Sequence, residues 1–287
     1  MEVLQLCGLW GREVSFSEFE QKNFFNLGCT IQYWHRKALG KKYVLFLHGA
    51  GCDHQMFEKQ IDTLDSSFDI IVWDARGHGL SKLDVQQKFV FADMISDILK
   101  LFEIHNIEKA VFVGQSMGGN LAQEIAYLYP EKVSGLVLVD CTRNTQKLGL
   151  FEKLMLKLFP IIFYAYPWKM LIRQSAKACG NSEYTRNYVA HCLENIERAK
   201  IFDIMQSVIS CLREDRQFRF KQPTLLVLGD GDVSGNIRKV MPMWAKSDDT
   251  CKLHIIKNAG HCSNMDNPDE FNKILVDFLN GKEEIWI

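Results

Sequence analysis

The sequence lacks an excess of charge of either sign, since 34 Lys and Arg residues stand against 35 Asp and Glu residues in a chain of 287, a formal net charge of −1. A balance of this kind produces no extended positive potential, so we expect no nucleic-acid partner. The chain also lacks a long hydrophobic run. Its most apolar stretch, residues 158–168, contains two prolines and falls short of the roughly 20 residues that a membrane-spanning helix needs. We therefore expect no transmembrane helix, and contact with a membrane is disfavoured.

Paired cysteines are absent as well. The nine cysteines are an odd number, are scattered, and form no Cys-x-x-Cys pair, whereas zinc sites and disulfide frameworks need paired or regularly spaced thiols. Residues 1–11 contain no basic region followed by an apolar one, so they do not resemble a secretory signal. These patterns predict free thiols, no metal site and a cytoplasmic location.

Short apolar segments alternate with helical patterns through the first half of the chain and return near its end. Near-continuous hydrophobicity over about five residues predicts a strand that is buried on both faces of a parallel sheet. The strand segments are residues 43–47, 69–73, 110–113, 135–139, 224–228 and 252–256. Helical patterns at residues 89–102 and 120–129 lie between them. The alternation predicts an α/β fold with a mostly parallel sheet flanked by helices.

The alternation stops between residues 142 and 222, where no buried strand is predicted. Helical segments take its place at residues 148–159, 168–178, 182–198 and 201–212. We therefore predict an α/β core made of residues 1–141 and 223–287, interrupted by a helical cap at residues 142–222. A last helix is predicted to begin at Asn267-Pro268, because Asn caps helices and Pro suits their first position.

The first candidate catalytic motif is the segment Gly-Gln-Ser-Met-Gly at residues 114–118. It follows a predicted buried strand and opens a predicted helix, which is the setting of a nucleophile elbow. Ser116 is the candidate nucleophile, and a serine hydroxyl needs a base to remove its proton. His261, on the loop after the last predicted strand, is the candidate base. Asp232 is the favoured acid to orient it, and Asp140, at the end of another strand, is the second candidate.

These motifs, in the chain order Ser116, Asp232, His261, resemble the α/β-hydrolase superfamily over nearly the whole chain. Two more segments carry the resemblance: His-Gly-Ala-Gly at residues 48–51 resembles the family's oxyanion loop, and Asp-Ala-Arg-Gly-His-Gly-Leu-Ser at residues 74–81 resembles a family turn. The resemblance implies an α/β-hydrolase fold and an oxyanion hole formed by the backbone N–H groups of Ala50 and Met117.

The resemblance further implies a serine hydrolase that acts on a small-molecule substrate without a metal or organic cofactor. We expect a small to medium, hydrophobic carboxylic ester, lactone or thioester, because the predicted cap is rich in aromatic residues. Gly51, Phe163, Tyr164 and Trp168 are the candidate substrate contacts. A serine at the elbow disfavours the epoxide hydrolases and haloalkane dehalogenases of the superfamily, which use aspartate there.

Two alternatives stay open at this point. The first is a carbon–carbon bond hydrolase or lyase of the meta-cleavage product or menaquinone-pathway type, which would use the same triad and react poorly with simple esters. The second is a non-catalytic ligand receptor on the same fold. A further hypothesis concerns Cys52, Cys141 and Cys262, which adjoin motif residues: a bulky thiol reagent at these positions is expected to block activity.

Overall fold

The buried apolar segments of the sequence become neighbouring parallel strands. The computed structural model describes residues 16–38, 42–215 and 217–281, and within them the chain forms one eight-stranded sheet in the order β1-β2-β4-β3-β5-β6-β7-β8. The strands are β1 (Glu20–Asn26), β2 (Cys29–Arg36), β3 (Lys42–Leu47), β4 (Phe68–Trp73), β5 (Ala110–Gln115), β6 (Val133–Val139), β7 (Thr224–Gly229) and β8 (Cys251–Ile256). Strands β3 to β8 pair in parallel. The predicted α/β class is confirmed.

A hairpin at the edge of the sheet was not predicted. Strands β1 and β2 pair antiparallel with each other, and β2 pairs antiparallel with β4. The turn between them places Leu27 and Gly28 at positive φ, 45° and 77°. Both central residues of a two-residue hairpin turn adopt positive φ in the type that suits twisted strands, and Asn-Gly or Asp-Gly is its usual signal. The hairpin has no clear sequence signal, because leucine occupies the first of these positions and β1 is largely exposed.

Helices cover both faces of the sheet. Those of the core segments are α1 (Glu58–Ile61), α2 (Phe91–His105), α3 (Met117–Leu128), α8 (Ile237–Ser247), α9 (Ser263–Asp266) and α10 (Pro268–Leu279). The predicted start of the last helix is confirmed, since the Asn267 side chain accepts a hydrogen bond from the Glu270 N–H. Helix α8 packs against β7 and β8 and was not predicted.

Four α-helices lie between β6 and β7 among the described residues. They are α4 (Leu150–Ala165), α5 (Trp168–Cys179), α6 (Glu183–Glu194) and α7 (Arg198–Val208), and no strand lies between β6 and β7 in the described part of that segment. The prediction that the first of these helices ends before Pro160 was wrong. Pro160 removes one N–H donor, yet the helix continues, because Phe163 beyond it is buried and the Arg198 guanidinium donates to the carbonyl oxygens of Phe163 and Tyr166.

The hydrophobic core surrounds the parallel strands on both faces, with β4 fully buried. Because the strands are parallel, their carboxyl ends meet along one edge of the sheet, and loops placed there are the usual position of a ligand site. Among the residues described, no helix is both long and apolar enough to cross a membrane.

Candidate active site

Ser116 occupies the sharp turn between β5 and α3. Its φ of 49° and ψ of −114° are a strained backbone conformation of the kind that concentrates at functional sites. The turn is possible because glycines flank it. A Cβ on Gly114 would overlap the carbonyl oxygen of Gly118, and one on Gly118 would overlap the carbonyl oxygen of Leu47. Close backbone approach therefore requires glycine at both positions.

The predicted nucleophile, base and acid are joined by hydrogen bonds in one row. The Ser116 hydroxyl lies 2.9 Å from His261 Nε2, and Asp232 Oδ2 lies 3.0 Å from His261 Nδ1. Asp232 follows β7 and His261 follows β8, so both come from the carboxyl edge of the sheet. His261 and Asp232 are buried, whereas Ser116 is partly exposed. The Ser116 hydroxyl therefore lies next to solvent, with the His261 imidazole and the Asp232 carboxylate buried behind it, an arrangement that suits an activated nucleophile.

The electrostatics of His261 are dominated by opposing effects. Burial lowers the pKa of the imidazole, but the hydrogen bond that Asp232 accepts from it and the negative charge of that carboxylate raise it, with smaller contributions from Cys179 and Asp140, so that the pKa is raised to about 9. The environment thus stabilises a protonated imidazolium. An imidazolium is the species that forms when the base takes the serine proton.

Asp140, the second candidate acid, makes different contacts. Its Oδ1 accepts the N–H of Gly229 at 2.7 Å, and its Oδ2 accepts the N–H of Ser263 at 2.9 Å. It therefore links the strand end before Asp232 to the loop after His261, and within the described residues it makes no hydrogen bond to the imidazole. Burial raises the pKa of Asp140 to about 7.

The two predicted oxyanion donors come from different segments, Ala50 from the loop after β3 and Met117 from the start of α3. Met117 is the first residue of α3, so its N–H has no acceptor within the helix. Among the described residues, no hydrogen bond joins the N–H of Ala50 or of Met117 to a protein acceptor. Both N–H groups can therefore donate to a ligand, and that of Met117 belongs to the positive N-terminal end of α3.

Two motif segments hold the loops of this edge in place. His48 accepts the Ala75 N–H on Nε2 at 2.9 Å and donates from Nδ1 to the carbonyl oxygen of Gly49 at 2.8 Å. Asp74 accepts the N–H groups of His54 and Leu80 at 2.8 and 2.7 Å. These contacts tie the loop of residues 48–51 to the turn of residues 74–81. The contacts of both segments therefore hold the backbone of these loops in place.

The predicted substrate contacts of the helical segment form a cluster of their own. The rings of Phe163, Tyr164 and Trp168 surround the Arg198 guanidinium at 5.2–5.9 Å from their centroids. In the described part of the chain none of the three makes a ring contact with His261. Tyr164 is half exposed, whereas Phe163 is buried.

Different residues of the helical segment approach the oxyanion loop, and sequence reasoning missed them. Gly51 has a φ of +78°, and a Cβ there would lie 2.6 Å from Leu193 Cδ2 and 3.4 Å from Ile201 Cδ1. The Tyr188 hydroxyl donates to Asp53 Oδ1 at 2.9 Å. Helices α6 and α7 therefore lie directly on the loop that carries Ala50. No local pattern singles out Leu193 or Ile201, because contacts between distant segments leave no spacing signal.

The three thiols next to motif residues are buried. Burial raises the pKa of Cys52 and Cys141, and the neighbouring Cys179 thiol together with burial raises that of Cys262. Buried thiols with raised pKa values react slowly, so the structure favours packing roles for these three over reaction with a bulky reagent.

Known proteins resemble this chain in sequence and in fold. A family model described as the alpha/beta hydrolase fold matches residues 42–167. A putative carbamate hydrolase, RutD, from Pseudomonas savastanoi pv. phaseolicola is 23% identical over 254 residues, which cover 82% of this chain and 92% of that protein. A putative 2-succinyl-6-hydroxy-2,4-cyclohexadiene-1-carboxylate synthase from Bacillus subtilis is 27% identical over 83% of this chain and 90% of its own length. The solved structure of an esterase from Exiguobacterium antarcticum superposes with a TM-score of 0.75 at 19% identity, covering 91% of this chain and 100% of the esterase chain.

Proposed function

Since the chain belongs to the α/β-hydrolase superfamily and is a hydrolase, we propose that it is a serine hydrolase that cleaves a small to medium, hydrophobic carboxylic ester, lactone or thioester. One observation carries this proposal: the Ser116 hydroxyl is 2.9 Å from His261 Nε2, while Asp232 occupies the other ring nitrogen. The proposed enzyme acts in the cytoplasm on a small molecule and needs no metal or organic cofactor.

The proposed reaction follows from that row. Ser116 Oγ attacks the substrate carbonyl carbon while its proton moves to His261 Nε2, and Asp232 stabilises the imidazolium. The carbonyl oxygen becomes negative and accepts the N–H groups of Ala50 and Met117, each donor being worth roughly 3–4 kcal/mol in such sites. His261 then protonates the leaving alcohol or thiol. Water, activated by the same histidine, releases the acyl group from Ser116.

We propose that residues 142–222 form a cap over this site. Leu193 and Ile201 approach Gly51 in the oxyanion loop, so a substrate acyl group bound at Ser116 would meet apolar side chains. Apolar walls with few polar groups suit a hydrophobic acyl group. Gly51 itself, Phe163, Tyr164 and Trp168 remain the proposed substrate contacts, with the three aromatic residues contributing through their cluster around Arg198.

A second candidate function is carbon–carbon bond cleavage with the same three residues. It is favoured by the similarity to the Bacillus subtilis relative, which is named as a putative synthase of a cyclohexadiene carboxylate. The carbamate named for the Pseudomonas relative requires attack on the same kind of carbonyl carbon as an ester. Carbon–carbon bond cleavage, the second candidate, predicts weak turnover of simple esters and good turnover of a dienone ketone.

The test is hydrolysis of p-nitrophenyl esters from acetate to decanoate by the wild type and Ser116→Ala. We expect turnover to fall about 10⁴-fold or more in the variant, and fluorophosphonate labelling to be lost. Ser134→Ala, which changes an exposed serine at the opposite end of the parallel sheet, is the matched control and should retain both. A Ser116→Ala variant as active as the wild type would show that the site is wrong.

A folded wild type that cleaves none of the esters would favour one of the alternatives. Rapid fluorophosphonate labelling with turnover of a dienone would then favour carbon–carbon cleavage. Absence of labelling would favour the non-catalytic receptor.

A further inference from the structure

Two thiols from distant parts of the chain meet beside the proposed catalytic base. Cys179 is the last residue of α5, and Cys262 directly follows His261. The N–H of Cys262 donates to the carbonyl oxygen of Cys179 at 2.8 Å, and each thiol lies close enough to shift the pKa of the other. The helical segment and the loop of the base are thus in contact through a pair of cysteines.

The backbone holds this pair at a distance suited to a disulfide. Neither residue lies on a strand, but a backbone hydrogen bond of 2.8 Å brings them about as close as hydrogen-bonded residues of paired strands, whose Cα atoms are about 5.5 Å apart, and disulfides span roughly 4.4–6.8 Å. The carboxylate of Asp266 also joins the two chain segments that carry the cysteines. It accepts the N–H groups of Gly260, Asn181 and Ser182 at 2.7, 2.8 and 2.9 Å. Both chain segments are therefore held together independently of the thiols.

The two thiols differ in reactivity. Cys179 is partly exposed, and the neighbouring Cys262 thiol and the positive charge of His261 lower its pKa to about 7 against the effect of burial. Cys262 is buried, and its pKa is raised by the Cys179 thiol and by burial. A partly exposed thiolate next to a second thiol is the arrangement of a peroxide-sensitive cysteine with its resolving partner. Each other described cysteine is buried.

We propose that Cys179 and Cys262 form an oxidation site for hydrogen peroxide, and that their disulfide reversibly lowers turnover at Ser116. The Cys179 thiolate attacks a peroxide oxygen, the O–O bond breaks, and a sulfenic acid and hydroxide form. The sulfur of Cys262 then attacks the sulfur of Cys179 and displaces its hydroxyl group, which leaves as water with the proton of the Cys262 thiol. The two sulfurs lose two electrons in all, and the peroxide is reduced to water and hydroxide, which takes a proton from solvent.

The consequence for turnover follows from the neighbours of Cys262. Gln115 donates to the carbonyl oxygen of His261 at 2.7 Å and lies 3.9 Å from Cys262 Sγ. A bond that pulls this sulfur toward Cys179 displaces the residue after the base and disturbs that contact. Since a misplacement of about 1 Å at a catalytic group costs about 10²-fold in rate, we expect a loss of roughly tenfold or more.

The experiment treats the purified protein with hydrogen peroxide and measures two quantities. Peptide mass spectrometry should find a peptide pair joining Cys179 to Cys262, lighter by two hydrogens than the separate peptides. Hydrolysis of a p-nitrophenyl ester should fall and return after treatment with dithiothreitol. Cys179→Ser and Cys262→Ser should each keep their untreated rate in peroxide, whereas Cys251→Ser, a buried control at the start of β8, should be as sensitive as the wild type.

The crosslink arm needs no substrate and is independent of the proposed function, whereas the turnover arm rests on it. Oxidation of Cys179 without a bond to Cys262 overturns the site. A complete crosslink that leaves turnover unchanged overturns the effect on catalysis. Equal peroxide sensitivity of Cys179→Ser and the wild type does so as well.

Discussion

The side-chain amide of Gln115 donates a hydrogen bond to the main-chain carbonyl oxygen of His261 at 2.7 Å. The residue before the proposed nucleophile thus holds the loop of the proposed base. The same side chain also lies against the oxyanion loop, since a Cβ on Gly49 would overlap its Oε1. One buried amide therefore touches the segments of nucleophile, base and oxyanion hole, and it fixes their separation.

Replacing that amide should impair catalysis more than binding. Gln115→Met keeps the length of the side chain but removes the donor to His261, so we expect kcat on a p-nitrophenyl ester to fall roughly tenfold with KM little changed. Gln123→Met is the control. Gln123 is a buried glutamine of α3 that bonds the carbonyl oxygen of Thr142, away from the base. Equal kcat losses in both variants would mean general destabilisation and not loss of positioning.

Much of the fold could be predicted because it is encoded locally. A strand buried on both faces, such as β6, needs consecutive apolar residues, and these stand out in a sequence. Ser116 was proposed because a tight turn requires glycine at fixed positions, which gives the elbow its pattern, and His261 because it follows the last predicted strand. The largely polar β1 and its Leu27-Gly28 turn carry no comparable signal.

Features that depend on distant contacts could be predicted from the sequence only as a preference, such as Asp232 over Asp140, or not at all. Asp232 and Asp140 both follow strands, and only the spatial arrangement shows which carboxylate meets His261. Helix α4 continues past Pro160 because its end is anchored by Arg198, which lies far along the chain. The Cys179–Cys262 contact joins two segments whose separation along the chain gives no hint of their proximity.

The pH dependence of turnover should reveal the effect of Asp232 on His261. The hydrogen bond and charge of Asp232 raise the pKa of His261 to about 9, and the base must be unprotonated to act. The kcat/KM of an ester should therefore rise with pH through a midpoint above the ordinary histidine value of about 6.5. Asp232→Asn removes the cause, so the midpoint should move to lower pH while kcat falls about 10⁴-fold.

Asp230→Asn provides the matched control for this profile. Asp230 lies in the same turn but makes no hydrogen bond to His261 among the described residues, so its variant should keep the wild-type midpoint. A midpoint that stays in place in Asp232→Asn would contradict the assigned electrostatics, whatever the loss of rate.

The packing of the helical segment on the oxyanion loop predicts a compensating pair of substitutions. In Gly51→Ala the new Cβ would lie 2.6 Å from Leu193 Cδ2, at a φ of +78° that costs a non-glycine residue roughly 1–2 kcal/mol. The loop must shift and carry the Ala50 N–H with it, so we expect kcat to fall about 10²-fold. Adding Leu193→Ala removes the contact and should restore part of the rate, leaving the backbone strain.

Gly149→Ala serves as control for that pair. A Cβ there would meet only Glu152 at 3.4 Å, an ordinary contact, so its rate should equal that of the wild type. If Leu193→Ala restored nothing, the contact between α6 and the oxyanion loop would not be the cause of the loss.

Lys200 should be a measurable anchor of α7. Its ammonium donates to the carbonyl oxygens of Asp84 at 2.8 Å, Val85 at 3.1 Å and Gln87, in the loop that precedes α2. Lys200→Met fills a similar volume but leaves these oxygens without their donor, which costs about 1–3 kcal/mol for a buried acceptor group. We expect Tm to fall by roughly 2–12 °C. Lys177→Met, at an exposed lysine of α5, should leave Tm unchanged, and an equal Tm for both variants would mean that the three contacts add no net stability.

Because α7 also carries Ile201 against Gly51, loosening its anchor in Lys200→Met should raise KM for the ester, while Lys177→Met should leave KM unchanged.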